Sequence, residues 1–318
     1  MNISVVIPVY NGQGTIGELV ERLARVLPGV ADSYEAVLVS DGSPDDSWKV
    51  IEGLSARYPW VLGIELMRNY GQHNALLCGV RAARFEVIVT MDDDLQHPPE
   101  EIPLLLAKLE EGYDVVFGVP KKLPHNWWRN LTSVITKEVV GYVMGYRSIR
   151  DISSYRAFRT HIRKAFEDYR GPDLLLDVLL TWGTNRFGTV PVEENPRTVG
   201  ESNYNLSKLI KLALTLLTGY TTLPLRFASI LGFVFTALGI IMLGYLLVTY
   251  FALGSIPGFS FLASTLIIFS GVQLFALGII GEYLARIFDR SYGRPTYQVL
   301  KTTGGMSNPG IRTGMDDE

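Results

Sequence analysis

The chain has 318 residues, a formal net charge of −3 and 47% apolar residues, enough to bury a sizeable core. That charge balance argues against nucleic acid as the main partner, because it offers no extended basic surface. The single cysteine, Cys78, excludes an internal disulfide and a multi-cysteine zinc site, and reads as a packing residue on a helix.

The first residues run directly into a strand pattern, with no basic stretch followed by an apolar one. No cleaved secretory signal is expected, and the large N-terminal part is expected in the cytosol. β-branched runs at residues 3–7, 36–39, 61–66, 87–91 and 115–117 alternate with helical patterns at 15–26, 47–57, 73–83 and 101–111. This alternation predicts an α/β fold with a mostly parallel sheet wrapped by helices. Ligands of such sheets bind beyond the carboxyl ends of the strands, where residues 8–11, 40–43, 68–71 and 92–94 would gather. Further helices are expected at 126–143 and 173–182, and a strand at 189–193.

The most informative motif is Asp92-Asp93-Asp94, placed after the run Val87-Ile88-Val89-Thr90-Met91. Three adjacent carboxylates at the end of a buried strand repel one another unless a cation or protons compensate. Strand alternation lets Asp92 and Asp94 point the same way while Asp93 points elsewhere. Hard oxygen donors of this kind suit Mg²⁺ or Mn²⁺, ions that usually accompany phosphate. A helix cap is the simpler alternative, but Asp94 or His97 alone would serve as one.

The last third has a different composition. Residues 227–253 and 255–281 carry no charge, and each run is long enough to cross about 30 Å of hydrocarbon as a helix. Two adjacent runs of this kind are hard to read as core helices of a soluble protein. The turn Gly254-Ser255-Ile256-Pro257-Gly258 makes them a hairpin. Arg226 precedes the first span and Arg286, Arg290 and Arg294 follow the second, which predicts cytoplasmic ends. Ahead of them, Leu206, Leu209, Ile210, Ala213 and Leu217 share one helical face, opposite Lys208, Lys211, Thr215, Thr218 and Thr222. That pattern predicts an interfacial helix on the bilayer, with an ordinary docked helix as the alternative. The expected division is a catalytic domain over residues 1–205, the interfacial helix at 206–224, two transmembrane helices within 225–285, and a C-terminal segment at 286–318. Thr302 onward reads as a loose tail. The whole is expected to be an integral inner or plasma membrane protein with its catalytic domain and both termini in the cytoplasm.

Gly12-Gln13-Gly14-Thr15-Ile16-Gly17 matches a dinucleotide-binding fingerprint, but Pro8-Val9-Tyr10-Asn11 intervenes before its first glycine. A hydride-transfer enzyme also has no use for the triple aspartate. Taken together, Val6-Ile7-Pro8-Val9-Tyr10-Asn11, Ser40-Asp41-Gly42-Ser43, Arg68-Asn69-Tyr70-Gly71-Gln72 and Asp92-Asp93-Asp94-Leu95-Gln96-His97-Pro98-Pro99 resemble the family 2 inverting glycosyltransferases of the GT-A fold. The likeness is nearest to polyprenyl-phosphate glycosyltransferases, meaning dolichol-phosphate mannose synthases and bactoprenol glucosyltransferases. Arg197-Thr198-Val199-Gly200-Glu201-Ser202-Asn203-Tyr204 and the two apolar spans extend it over nearly the whole chain.

The resemblance implies a nucleotide-sugar donor, with UDP-glucose favoured over GDP-mannose, and a polyprenyl phosphate acceptor at the lipid bilayer. A processive polysaccharide synthase is the weaker alternative, because the chain lacks the Gln-x-x-Arg-Trp motif and extra spans of that group. Pro8, Tyr10 and Asn11 are then expected to wall the base and ribose, with Asp41 accepting from a ribose hydroxyl or base N–H. Asp92, Asp94 and Gln96 correspond to the family's metal-site residues, and Asp93 is expected against the sugar. Arg129, Arg156 and Arg197 are the candidate cations for the two phosphates, with a structural salt bridge as the alternative for each. Ser202 and Tyr204 are the hydroxyl partners of the acceptor phosphate. Asp151 is either a base or the residue that orients Arg156. Two positions depart from the family pattern: Lys121-Lys122 stand where an arginine is usual, and Asn203 replaces a lysine. A homo-oligomer, as large as a tetramer, is also implied.

Overall fold

The computed structural model describes residues 1–121, 153–171, 174–195, 221–253 and 258–303. The chain divides into two compact units, one formed by Met1–Tyr204 with Arg294–Glu318 and the other by Asn205–Gly293. The expected helix at 126–143, most of the expected interfacial helix, the 254–257 turn and residues 304–318 lie outside the described residues.

The first unit is built on an eight-stranded sheet. Its elements run β1 (Asn2–Val9), α1 (Ile16–Val26), β2 (Ser33–Ser40), α2 (Ser47–Arg57), β3 (Val61–Leu66), α3 (Gln72–Ala82), β4 (Val87–Thr90), α4 (Ile102–Glu110) and β5 (Val115–Pro120). After these come β6 (Arg156–Arg159), α5 (Leu176–Gly183), β7 (Phe187–Val192) and β8 (Val299–Thr302). The strand order is β7-β5-β6-β4-β1-β2-β3-β8. β1 pairs in parallel with β2 and β4, β2 with β3, and β5 with β7. Among the described residues, the expected strands and helices of this unit form, with shifts of a few residues at their ends.

β1 has the alternation of a strand covered on both faces. Ile3, Val5, Ile7 and Val9 pack with α1, α2 and α4, whereas Val6 packs on the other face with α3 and α5. All five are fully buried. Each such side chain contributes about 1.5–3 kcal/mol relative to an exposed one. Cys78 of α3 is buried in the second layer, and burial pushes its thiol up to about 12. It is an inert packing residue, as expected.

Two strands were not expected, and both are antiparallel. β6 lies between β4 and β5 and runs against both. β8 pairs with β3 at the sheet edge. Thr302, read as the start of a loose tail, therefore belongs to the sheet, and the following Thr303 is tied to its edge. Thr303 N donates to Gly63 O at 2.9 Å, and Gly63 N donates to Thr303 Oγ1 at 2.8 Å. The contact depends on Gly63, because a Cβ there would sit 3.0 Å from Thr303 Cγ2 and collide with Ile51.

The second unit contains two long helices, α6 (Leu223–Leu253) and α7 (Phe259–Ser291). Pro224 falls in the first turn of α6, where its missing N–H removes no helical bond. Leu223–Ala252 has a mean hydropathy of 2.4 and Ile268–Ser291 one of 1.6, so both are long and apolar enough to cross a membrane. Phe235 and Phe269 meet edge to face, with ring centroids 6.0 Å apart. Gly239 lies under the same Phe269 ring, so its small size serves packing within the hairpin. Glu282 and Arg286, four residues apart on α7, form a local ion pair at 3.0 Å.

Candidate active site

The carboxyl ends of the parallel strands meet at one rim, as the topology requires. There Pro8, Val9, Tyr10, Asp41, Asn69, Gly71, Gln72, Asp92, Asp93 and Asp94 line a cleft of about 270 Å³. Of the expected donor-site residues, Pro8, Tyr10, Asp41 and the three aspartates are thus brought together. Asn11, next to the cleft, adopts a left-handed backbone with φ 56°, and its N–H reaches Ser43 Oγ at 3.3 Å. Gln96 lies outside the cleft lining, and its N–H donates to Asp94 Oδ1 at 3.1 Å.

Asp41 is almost fully buried at the end of β2. Its two oxygens accept from Tyr70 N at 2.7 Å and Gly71 N at 2.8 Å, which ties the β2 and β3 loops together. Burial raises the Asp41 pKa, and the two backbone N–H groups oppose that rise. The approach is close enough to need Gly42, with φ +60° and a Cβ position only 2.5 Å from Arg68 C and Asn69 N. Gly71, at φ 95°, turns the chain into α3.

The three adjacent aspartates have three different environments. Asp92 is held at both oxygens: Gln72 Nε2 donates to Oδ1 at 2.7 Å and Ser154 Oγ donates to Oδ2 at 2.7 Å. Asp94 faces the cleft and accepts from the Gln96 backbone. Asp93 turns away from both toward Gly12, whose missing Cβ leaves room for Asp93 Oδ2. That oxygen is buried and has no hydrogen-bond partner among the described residues. Burial, then the charge of Asp92, push the Asp93 pKa up to about 7, against the pull of the Tyr10 N–H. The first glycine of the apparent dinucleotide fingerprint is therefore required by a carboxyl group of this chain.

Arg156, expected as a phosphate cation, does not face the cleft. It is fully buried on β6, where Nε donates to Thr90 Oγ1 at 3.0 Å and Nη1 pairs with Asp177 of α5. Burial lowers its pKa to about 10, while the nearby Asp92 charge favours the ion. In this structure Arg156 makes the salt bridge that was its alternative reading. Lys121 reaches Glu193 at 3.4 Å. Arg129, Asp151, Arg197, Ser202 and Tyr204 lie outside the described residues.

Gln72, Ser154 and Thr90 had no assigned role before the structure. Gln72 stood inside a quoted motif, so a signal existed. Ser154 had none, because it reaches Asp92 only through the antiparallel insertion of β6.

Sequence comparison agrees with this geometry. The profile described as Glycosyl transferase family 2 matches residues 4–170, and the chain belongs to that family. An undecaprenyl-phosphate 4-deoxy-4-formamido-L-arabinose transferase of Shewanella sediminis is 37% identical over 314 residues, covering 98% of this chain and 95% of the relative. A protein of the same description from Proteus mirabilis is 36% identical over 307 residues, covering 95% and 94%. Among solved structures, glucosyl-3-phosphoglycerate synthase from Mycobacterium tuberculosis with Mn²⁺, UDP and glucosyl-3-phosphoglycerate aligns at a TM-score of 0.49 and 18% identity, over 68% of this chain and 77% of its own.

Proposed function

We propose that this protein transfers a sugar from a nucleotide sugar to a polyprenyl phosphate at a membrane surface, with inversion at the anomeric carbon. The observation that carries this reading is the match to undecaprenyl-phosphate transferases across almost the full chain, apolar helices included. The cleft supports it with a partly exposed aromatic wall at Tyr10, a buried acceptor at Asp41, and carboxylates at Asp92 and Asp94.

The donor set suits Mg²⁺ or Mn²⁺. These ions take one or two carboxylates and fill their remaining positions with water and phosphate oxygens. Among the described residues no group of three His, Cys, Asp or Glu forms a ready cage, so the substrate diphosphate would complete the site. Asp92 and Asp94 would hold the ion, with Gln96 at the next turn. When bound, it would neutralise charge developing on the departing nucleoside diphosphate. Asp93, turned toward Gly12, is a less direct contact for the sugar than the sequence suggested.

An acceptor phosphate is already anionic near neutral pH, so the site needs orientation more than a strong base. We assign that task to Arg129 and Arg197 with Ser202 and Tyr204, on the family resemblance alone, and we give Asp151 an orienting role. Arg156 is removed from this set by its pairing with Asp177. We also propose that Arg226, Arg286, Arg290 and Arg294 hold both ends of the hairpin in the cytoplasm. A cysteine at Ser255 should then react with an impermeant thiol reagent from the outer face, and one at Ser307 should not; the reverse pattern would refute the orientation.

For the donor, we favour the 4-deoxy-4-formamido-L-arabinose nucleotide because the relatives named above carry that description. No feature of the cleft favours UDP-glucose, the donor expected from the resemblance. Membranes containing the protein should be incubated with undecaprenyl phosphate and a panel of labelled nucleotide sugars that includes both. A labelled lipid monophosphate sugar is the expected product. Transfer to water or to a growing polysaccharide instead would overturn the proposal.

A further inference from the structure

We infer that Asp177, Arg156, Thr90 and Ser154 form a positioning relay that fixes the Asp92 carboxylate for cation binding. The inference rests on the reading of Asp92 as a metal-site residue, and it assigns a task to a helix far from the cleft in sequence.

The direction of each bond follows from what each group can donate. A guanidinium has no acceptor, so Arg156 Nε must donate to Thr90 Oγ1, which it does at 3.0 Å. The single proton of Thr90 is thereby left for Ser154 O, 2.9 Å away. Ser154 Oγ in turn donates to Asp92 Oδ2 at 2.7 Å. At the other end, Arg156 is fully buried, and its charge is answered by Asp177 near the start of α5. A buried cation in that position is otherwise drawn to the nearest carboxylate, and Asp92 is near enough to stabilise it. Asp177 thus takes the direct ion pair with Arg156, whose Nε is aimed at Thr90.

The second oxygen of Asp92 is held from α3. Gln72 Nε2 donates to Asp92 Oδ1, and the next residue, His73, accepts from Leu176 N at 3.5 Å through Nδ1. Leu176 and Asp177 are the first two residues of α5. The first turn of α5 thus meets Arg156 directly and α3 through His73, the residue after Gln72. Each carboxylate oxygen keeps a free lone pair for a cation, while its rotation is blocked against repulsion from Asp93 and Asp94.

The test is Mn²⁺ binding to the full-length protein in detergent, read from loss of the free-ion resonance signal with UDP or GDP present. Thr90→Val removes the hydroxyl at nearly constant volume and should weaken Mn²⁺ binding about tenfold or more. Thr90→Ser restores the hydroxyl and should bind within about twofold of the parent. Asp177→Asn should weaken binding in the same direction, and if it does not fold, the Thr90 pair decides alone. Thermal unfolding measured alongside separates a fold defect, which would lower the melting temperature without separating valine from serine in Mn²⁺ affinity. Parent-like affinity in Thr90→Val, with binding lost in Asp92→Ala, would overturn the relay alone. Parent-like affinity in Asp92→Ala would overturn the metal-site reading and the relay with it.

Discussion

The two units of this chain use the same apolar residue types in opposite ways. In the sheet unit Ile3, Val5, Val6 and Ile7 are fully buried, whereas in the helical unit Phe233 and Phe251 are 79% and 83% exposed. A protein in water does not leave long apolar faces uncovered on two adjacent helices. The difference teaches that hydrophobicity alone does not mark a core. Its partner can be the other face of a sheet or the hydrocarbon of a bilayer, and periodicity tells which. The polar residues divide as well: the sheet unit brings Asp41, Asp92, Asp93 and Asp94 to one rim, and the two long helices carry their acids, Glu282 and Asp289, only toward the end of α7.

The sharpest separation is expected from Asp94→Ala at that rim. Transfer should fall about a thousandfold, the scale of losing one charged group that stabilises the transition state. The melting temperature should stay near that of the parent, because Asp94 faces a cleft. EDTA followed by Mn²⁺ add-back measures the metal's part, and full activity in EDTA would refute it.

A pair of phenylalanine truncations tests the comparison itself. Phe158→Ala on β6 empties a fully buried site and should destabilise the sheet unit by about 3–5 kcal/mol. Phe233→Ala, on a face covered by lipid or detergent, should change stability by about 0.5 kcal/mol or less. Chemical unfolding in detergent measures both. Equal effects would mean that Phe233 is packed against protein.

The pH dependence of the sheet unit provides a smaller effect. Burial, assisted by the Arg156 charge, lowers the His73 pKa to about 4 from its ordinary value near 6.5. Between those values the unfolded chain binds a proton that the folded one does not, so stability falls as pH drops from about 6.5 to about 4. The loss is at most about 3 kcal/mol, the free-energy equivalent of that pKa difference, and His73 as a residue is only partly buried. His73→Gln should flatten this part of the pH profile, and an unchanged profile would show that His73 titrates normally.

The smallest effect is expected at the sheet edge. Lys301 of β8 lies 3.4 Å from both Glu52 and Glu65, and is half-exposed. Lys301→Ala should therefore cost under about 1 kcal/mol, and less in high salt. A larger loss would show that β8 depends on its ion pairs more than on its backbone bonds to β3.

Much of this architecture was legible before any coordinates. The alternation of β1 through β5 with α1 through α4 is a local property of strand and helix period, and each element formed. The two uncharged runs likewise follow from local composition. The convergence of Pro8, Tyr10, Asp41 and Asp92 to Asp94 could be read because parallel strands must end at one rim. The reading failed where a contact joins distant segments. Ser154 meets Asp92 across 62 residues of sequence, and Thr303 meets Gly63 across 240.

By itself, the sequence determined strands β1 to β5 and β7, the apolar helices, the rim that carries Asp41 and Asp92 to Asp94, and the family. Only the tertiary structure decided what each charged residue does there. Arg156 looked like a phosphate ligand because motif and charge carry no information about burial, and the antiparallel course of β6 turned it inward to Asp177. Asp92, Asp93 and Asp94 are the same residue three times over. They differ because Gln72 and Ser154 reach the first, the space over Gly12 takes the second, and the third is left facing the cleft. Side-chain environment is a property of packing, and packing brings together groups that the chain order keeps apart.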